Sequence, residues 1–210
     1  MLDLEEQEKI DILKAWWKQY ASWVWAFVLV LAVSYASMQG WHYYQRGQAE
    51  KAGVLFDAVR AAARGGDAAA ALQSAKALQE AQPTSPLATR AALIAAAVGH
   101  VKGDDVGARF ELEWVIAHSS EAPMVDLARI RAAGLLADEK KFDEALKLLD
   151  ANHDPAFVAL TADRRGDILT AQGKWSEARA AYQTAMDRSP ATGVLKQLDA
   201  YKRDALGESK

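Results

Sequence analysis

The sequence predicts an all-α chain in which one transmembrane helix precedes a domain of stacked helical hairpins, an α-solenoid. Three observations predict it. Residues 19–45 contain no Asp, Glu, Lys or Arg, an uncharged run of 27 residues. Past residue 46, stretches rich in Ala, Leu, Glu, Lys and Arg at helical spacing stand where strands would need β-branched alternation. Turn signals recur there, and the alanines that follow them (Ala71, Ala108, Ala145 and Ala178) lie 37, 37 and 33 residues apart. The expected divisions are an amphipathic segment over 1–18, the membrane helix over 19–45 and the repeat domain over 46–210.

The opening segment reads as a short helix. Asp3 can cap it with Glu6 three positions on, and Ile10, Leu13 and Trp17 share one face. Two roles fit: an interfacial lead-in to the membrane, or a docking segment for a cytoplasmic partner. The uncharged run that follows would be ~40 Å long as a helix, against the ~20 residues that cross a hydrocarbon core. Between residues 24 and 33, Val24, Phe27, Val28, Leu29, Val30, Leu31 and Val33 each favour insertion by ~0.3–0.6 kcal/mol. Trp16, Trp17 and Tyr20 form an aromatic belt before the span, and Trp41, Tyr43 and Tyr44 another after it, where amphipathic rings prefer the headgroup level. The alternative is a cleaved signal peptide, with a small-residue site at Ser34-Tyr35-Ala36. Its leading region should be basic, whereas residues 1–18 hold five acids against three lysines. An uncleaved anchor fits better. Charge does not orient it: Lys9, Lys14 and Lys18 before the span balance Arg46, Lys51 and Arg60 after it.

Beyond the span, helical character continues to about Ala63, and Arg64-Gly65-Gly66-Asp67 breaks it. A repeat of about 34 residues built from helix–turn–helix is the tetratricopeptide period. Its last copy is the clearest. Gly166 takes the small slot of the first helix, Leu169 the large one, and Gly173 the turn. Ala178, Tyr182 and Ala185 follow in the second helix, and Pro190 ends the unit. Small residues let antiparallel helices approach, and Leu169 and Tyr182 fill the grooves between ridges. The copy before it has Ala133, Leu136, Phe142, Ala145 and Leu149 at the same places. Two earlier copies are degenerate, one with Gly103, Ala108, Leu112 and Val115, the other with Gly66, Ala71, Ala75, Leu78 and Pro83. Stacked pairs form a trough suited to a peptide segment, and in this register Ile130, Asp163, Asp167 and Thr170 would line it.

Composition excludes several classes. Twenty-five basic residues against 28 acidic ones leave a net charge of −3, with no excess to neutralise a phosphate backbone, so nucleic acid is not an expected partner. The absence of cysteine removes disulfide scaffolds, zinc ribbons and thiol catalysis. His42, His100, His118 and His153 are scattered without a carboxylate or second histidine at metal-ligand spacing, so neither metal nor cofactor is expected. Nucleotide-binding glycine loops and the nucleophile elbow are missing. Acid pairs such as Asp104-Asp105, Asp138-Glu139 and Asp143-Glu144 sit where negative charge offsets a helix start. Trp114 and Trp175 are expected in the core. The reading is of a non-enzyme that takes no small-molecule substrate; a hydrolase hidden in the helical domain is the disfavoured competitor.

The order of parts carries a resemblance. An acidic opening, Glu5-Glu6-Gln7-Glu8, leads to Leu13-Lys14-Ala15-Trp16-Trp17-Lys18, then to the span, the aromatic exit and the Ala-rich repeats with their Gly166-Asp167-Ile168-Leu169-Thr170-Ala171-Gln172-Gly173-Lys174 run. The whole chain resembles the YfgM-like ancillary subunits of the bacterial SecYEG translocon. The resemblance implies an inner-membrane protein with a cytoplasmic N-terminus and a periplasmic repeat domain, in contact with membrane lipid. It also implies two partners, the SecYEG channel and a PpiD-like periplasmic chaperone, and a role in handing translocated chains to chaperones. A repeat scaffold for another envelope or cell-division assembly is the alternative.

Overall fold

A computed structural model describes residues 4–151, 154–190 and 192–207, and places the chain in two compact units, Met1–Lys51 and Ala52–Lys210. Among the described residues every extended element is helical: α1 (Leu4–Gly65), α2 (Ala68–Ala81), α3 (Pro86–Val101), α4 (Asp105–His118), α5 (Ala122–Asp138), α6 (Phe142–Asp150), α7 (Val158–Ala171), α8 (Trp175–Arg188) and α9 (Val194–Ala205). One 3-10 turn, Pro155–Phe157, leads into α7. The expected Asp3 cap lies outside the described residues, as does His153.

The first unit is helix alone. α1 runs unbroken past residues 18 and 45, so those divisions are changes of side-chain chemistry along one helix and not of backbone. Neither junction carries a proline, and Gly40 and Gly47 are tolerated with open space where a Cβ would stand. The segment is long and apolar enough to cross a membrane, by length and composition. Its aromatic side chains are exposed, from Trp16, Trp17 and Tyr20 to Trp41, Tyr43 and Tyr44. Trp16 and Tyr20 lie 5.5 Å apart, and Trp41 and Tyr44 6.2 Å apart, one helical turn on the same face in each case.

The second unit is four helical hairpins and a closing helix. The first helix of each hairpin, termed the A helix, is the end of α1 from residue 52, then α3, α5 and α7; the B helices are α2, α4, α6 and α8. One turn geometry serves all four. A left-handed residue stands at Gly66, Gly103, Lys140 and Gly173, with φ of 69°, 84°, 62° and 74°. The next backbone N–H reaches back five residues: Asp67 to Ala62 at 3.0 Å, Asp104 to Gly99 at 2.9 Å, Lys141 to Leu136 at 2.8 Å and Lys174 to Leu169 at 2.9 Å. These bonds satisfy carbonyls that a helix C-terminus would otherwise orphan. The two degenerate copies therefore keep the hairpin even where their side chains depart from the pattern.

Alanine dominates the contacts because close helix approach needs small side chains. The facing slots trade size with one another. Val59 shares a core cluster with Ala75, Ala96 with Leu112, and Ala133 with Leu149. In the fourth hairpin the B-helix residue is Tyr182, and a Cβ on Gly166 would stand 2.5 Å from its ring. Only glycine leaves room there. Ala145, Leu169, Ala178 and Ala185 are buried, Phe142 packs against its cluster half-buried, and Gly173 and Pro190 lie at the surface of the turns.

The interior also holds acid. Glu111 is 2% exposed and accepts a 2.5 Å hydrogen bond from the Gln79 amide. Burial pushes its carboxyl up to about 7, although the Gln79 bond pulls the other way.

Candidate functional site

The A-helix face divides into a closed stretch and an open one. The closed stretch is at α7, where sequence reasoning placed its trough. Asp163, 6% exposed, accepts a 2.5 Å bond from Lys202 Nζ of α9, and Asp167 accepts one of 2.8 Å from the same ammonium. Lys202 also lies 5.5 Å above the Tyr182 ring. The Tyr182 hydroxyl donates to Asp167 at 3.0 Å and lies 3.2 Å from the Thr170 hydroxyl. Burial pushes the Tyr182 phenol up to about 12. Burial works against the charge on Lys202, but its bonds to Asp163 and Asp167 outweigh that and raise it.

Asp199 completes this cluster. It is fully buried, and neither of its oxygens meets a donor. Burial first, and then the neighbouring Asp163 carboxyl, push the Asp199 carboxyl up to about 7.

Two expectations are therefore corrected. Ile130 is 2% exposed inside the α5–α6–α7 cluster and lines no trough. Asp163, Asp167 and Thr170 share a face, but α9 covers it. The reason is that the repeat register does not stop at Pro190. Asp199 stands 33 residues after Gly166 and Lys202 33 after Leu169, so α9 stacks at the A-helix position of the next repeat. That 33-residue step was the signal available in the sequence.

The open stretch lies between α1, α3, α5 and α7. One cavity of about 290 Å³ is lined by Ala96, Ala97, His100, Leu112, Arg131, Gly134, Leu135, Asp138 and Arg164, among others. A second, of about 400 Å³, is lined by Phe56, Arg90, Leu93, Ile94, Ala97, Leu127 and Arg131. Ala97 and Arg131 belong to both, so the two form one trough. Its floor is apolar and its charged groups are mostly arginines. Arg90 is neutralised by two 3.1 Å bonds to Glu121. Arg131 donates to the Leu93 carbonyl, at 3.3 Å, and desolvation lowers its pKa. A larger cavity, about 580 Å³, runs past Arg109, Glu113, Glu144 and Lys147. There Arg109 is already matched, at 3.9 Å to Glu113 and 3.0 Å to Glu139.

Two smaller departures concern rings. His100 does have a carboxylate: its Nδ1 lies 2.6 Å from Asp105, which reaches back across the α3–α4 turn. His118 Nδ1 lies 3.0 Å from the Trp114 carbonyl, and the two rings stack at 4.8 Å. Trp114 is half-buried between two clusters, but Trp175 is 53% exposed at the start of α8. Among the described residues no three His, Asp or Glu side chains meet to hold a metal ion.

Residues 14–208 match the tetratricopeptide repeat-like domain family. The chain is 31% identical over 207 residues to the ancillary SecYEG translocon subunit of Neisseria gonorrhoeae, covering 97% of this chain and 98% of that protein. It belongs to that family. A Haemophilus influenzae protein of the same description is 24% identical over 185 residues, 87% of this chain and 89% of its own length. An Escherichia coli one is 29% identical over 90 residues, 42% and 44% of the two chains. Family membership spans both the apolar helix and the hairpins, so both units fall inside the shared architecture.

Proposed function

We propose that this chain is a non-enzymatic adaptor of the bacterial inner membrane, anchored by α1 and binding other proteins at the SecYEG channel through its hairpin domain. The N-terminus is cytoplasmic and the hairpins are periplasmic. There the domain helps pass translocated chains to a PpiD-like chaperone. The observation that carries this reading is the near full-length identity to a protein described as an ancillary SecYEG translocon subunit. The open trough supports it chemically, since an apolar floor with a few charged groups suits a peptide segment.

Mild detergent extraction of the full chain followed by mass spectrometry of what co-purifies tests the partner. Channel subunits and a membrane-anchored chaperone are expected. Recovery of division or other envelope complexes without channel subunits would replace the reading with that of a scaffold for another assembly. Orientation is tested separately, by a reporter that is active only outside the cytoplasm, fused after Gly66; activity is expected.

A further inference from the structure

The trough gathers more cationic charge than the carboxylates around it match. Arg131 of α5 and Arg164 of α7 line the same cavity, and among the described residues no carboxylate lies within ion-pair distance of Arg131. The Arg164 guanidinium lies against Gly134, one turn beyond Arg131, so close that a Cβ there would stand 3.4 Å from its central carbon. The Nε of Arg164 is buried without a hydrogen-bond partner. Its nearest acid is Asp167, whose Oδ2 lies 3.8 Å away while its other oxygen, Oδ1, is held by Lys202 and Tyr182. Asp138 lines the cavity too, with no ion pair to either arginine. Two guanidinium groups thus line one cavity with, among the described residues, a single carboxylate in ion-pair range, at 3.8 Å from Arg164, to offset their repulsion and lost hydration.

We propose that this trough is the binding site for an extended acidic segment of a partner protein. A carboxylate side chain sits between Arg131 and Arg164, where planar guanidinium groups bond it in a forked geometry. An apolar side chain of the same segment fills the adjoining cavity over Leu93, Ile94 and Leu127. A free phosphate would leave that apolar floor unused, which is why a segment bearing both chemistries fits better. This inference deepens the adaptor function proposed above and rests on it.

The full chain in a zwitterionic detergent is titrated against a short fluorescein-labelled peptide of alternating glutamate and leucine, with the lysine–leucine peptide as control. Anisotropy should report micromolar binding of the acidic peptide, weakened by salt, and at least about tenfold weaker binding of the basic one. Arg131→Gln with Arg164→Gln should lower affinity for the acidic peptide by about tenfold or more, or ~1.4 kcal/mol. Gly134→Asp keeps both arginines but places a carboxylate against Arg164, and should also abolish binding while leaving the melting temperature unchanged or raised. Lys76→Glu, at an exposed position of α2, should have no effect despite changing net charge by as much as the double substitution. Equal binding of the two peptides, or arginine-independent binding of the acidic one, would overturn the inference. So would vesicles of phosphatidylglycerol displacing the peptide from the parent chain but failing to bind the double variant, which would assign the site to a lipid headgroup. Channel subunits co-purifying alongside arginine-independent peptide binding would sink only this inference. Their absence would sink the adaptor function, whereas arginine-dependent binding would still uphold the trough as a site for acidic segments.

Discussion

At α5 the A-helix face turns Arg131 towards open space with no carboxylate among the described residues to meet it, and one repeat later, at α7, Asp163 and Asp167 are closed under Lys202. The two stretches share a backbone register and an apolar underside. They differ in the element that comes next along the chain: a hairpin, α7–α8, succeeds α5–α6, whereas among the described residues a single helix, α9, succeeds α7–α8. A repeat register therefore fixes which residues pack between helices, but not whether the outward face of a helix is left open. The next element decides that.

Breaking the closed side should give the largest effect. Lys202→Ala leaves three neighbouring carboxylates, Asp163, Asp167 and Asp199, with their shared cation gone. Removing one partner of such a pair is expected to lower stability by about 3 kcal/mol. Thermal unfolding of the full chain, read by circular dichroism, checks this. An unchanged melting temperature would mean that α9 does not hold the α7 end shut.

Glu111 sharpens the contrast, because it is a buried acid with an amide in place of a cation. Its folded pKa of about 7 lies above the ordinary 4.5, so the folded chain holds a proton that the unfolded chain loses between those values. The associated stability is complete below pH 4.5 and is lost as pH rises through 7. Glu111→Gln removes that dependence and is expected to gain about 3 kcal/mol on the parent when both are taken from pH 4.5 to pH 8. Denaturant unfolding across that range measures it. Parallel curves for the two chains would contradict the burial argument.

The smallest effect tests the turns. Three of the four hairpins place glycine at the left-handed position and the third places Lys140, with φ of 62°. A side chain there costs about 1 kcal/mol, so Lys140→Gly should stabilise the chain by about that amount. A loss of stability on that substitution would show that the lysine side chain makes a contact worth more than the strain.

Much of the architecture was legible in the sequence because glycine and alanine mark places where geometry leaves no alternative. The spacing of Gly66, Gly103 and Gly173 is the spacing of the turns, and Gly166 faces Tyr182 because no other residue fits. What stayed illegible depends on neighbours far along the chain. Ile130 and Asp163 occupy equivalent positions, and nothing local says that one is core and the other lies under α9. Lys202 falls beyond the proline that ends the last full repeat, where a motif search stops. Arg131 and Arg164 are 33 residues apart and look like ordinary surface cations until α5 and α7 bring them to one cavity. Trp175 opens α8 one residue past a turn, and that position leaves its ring in solvent.

The uniform hairpin turn has a consequence for how the domain comes apart. Each hairpin is built on the same local bonds and touches chiefly the one before and the one after, so its opening free energy is its own plus that of two shared faces. A hairpin at an end has only one such face, and α9 supplies the missing one for α7–α8. Amide hydrogen exchange should accordingly be graded along the chain, with the middle hairpins slowest. A protease that clips α9 would turn the best-marked repeat into the first one to fray.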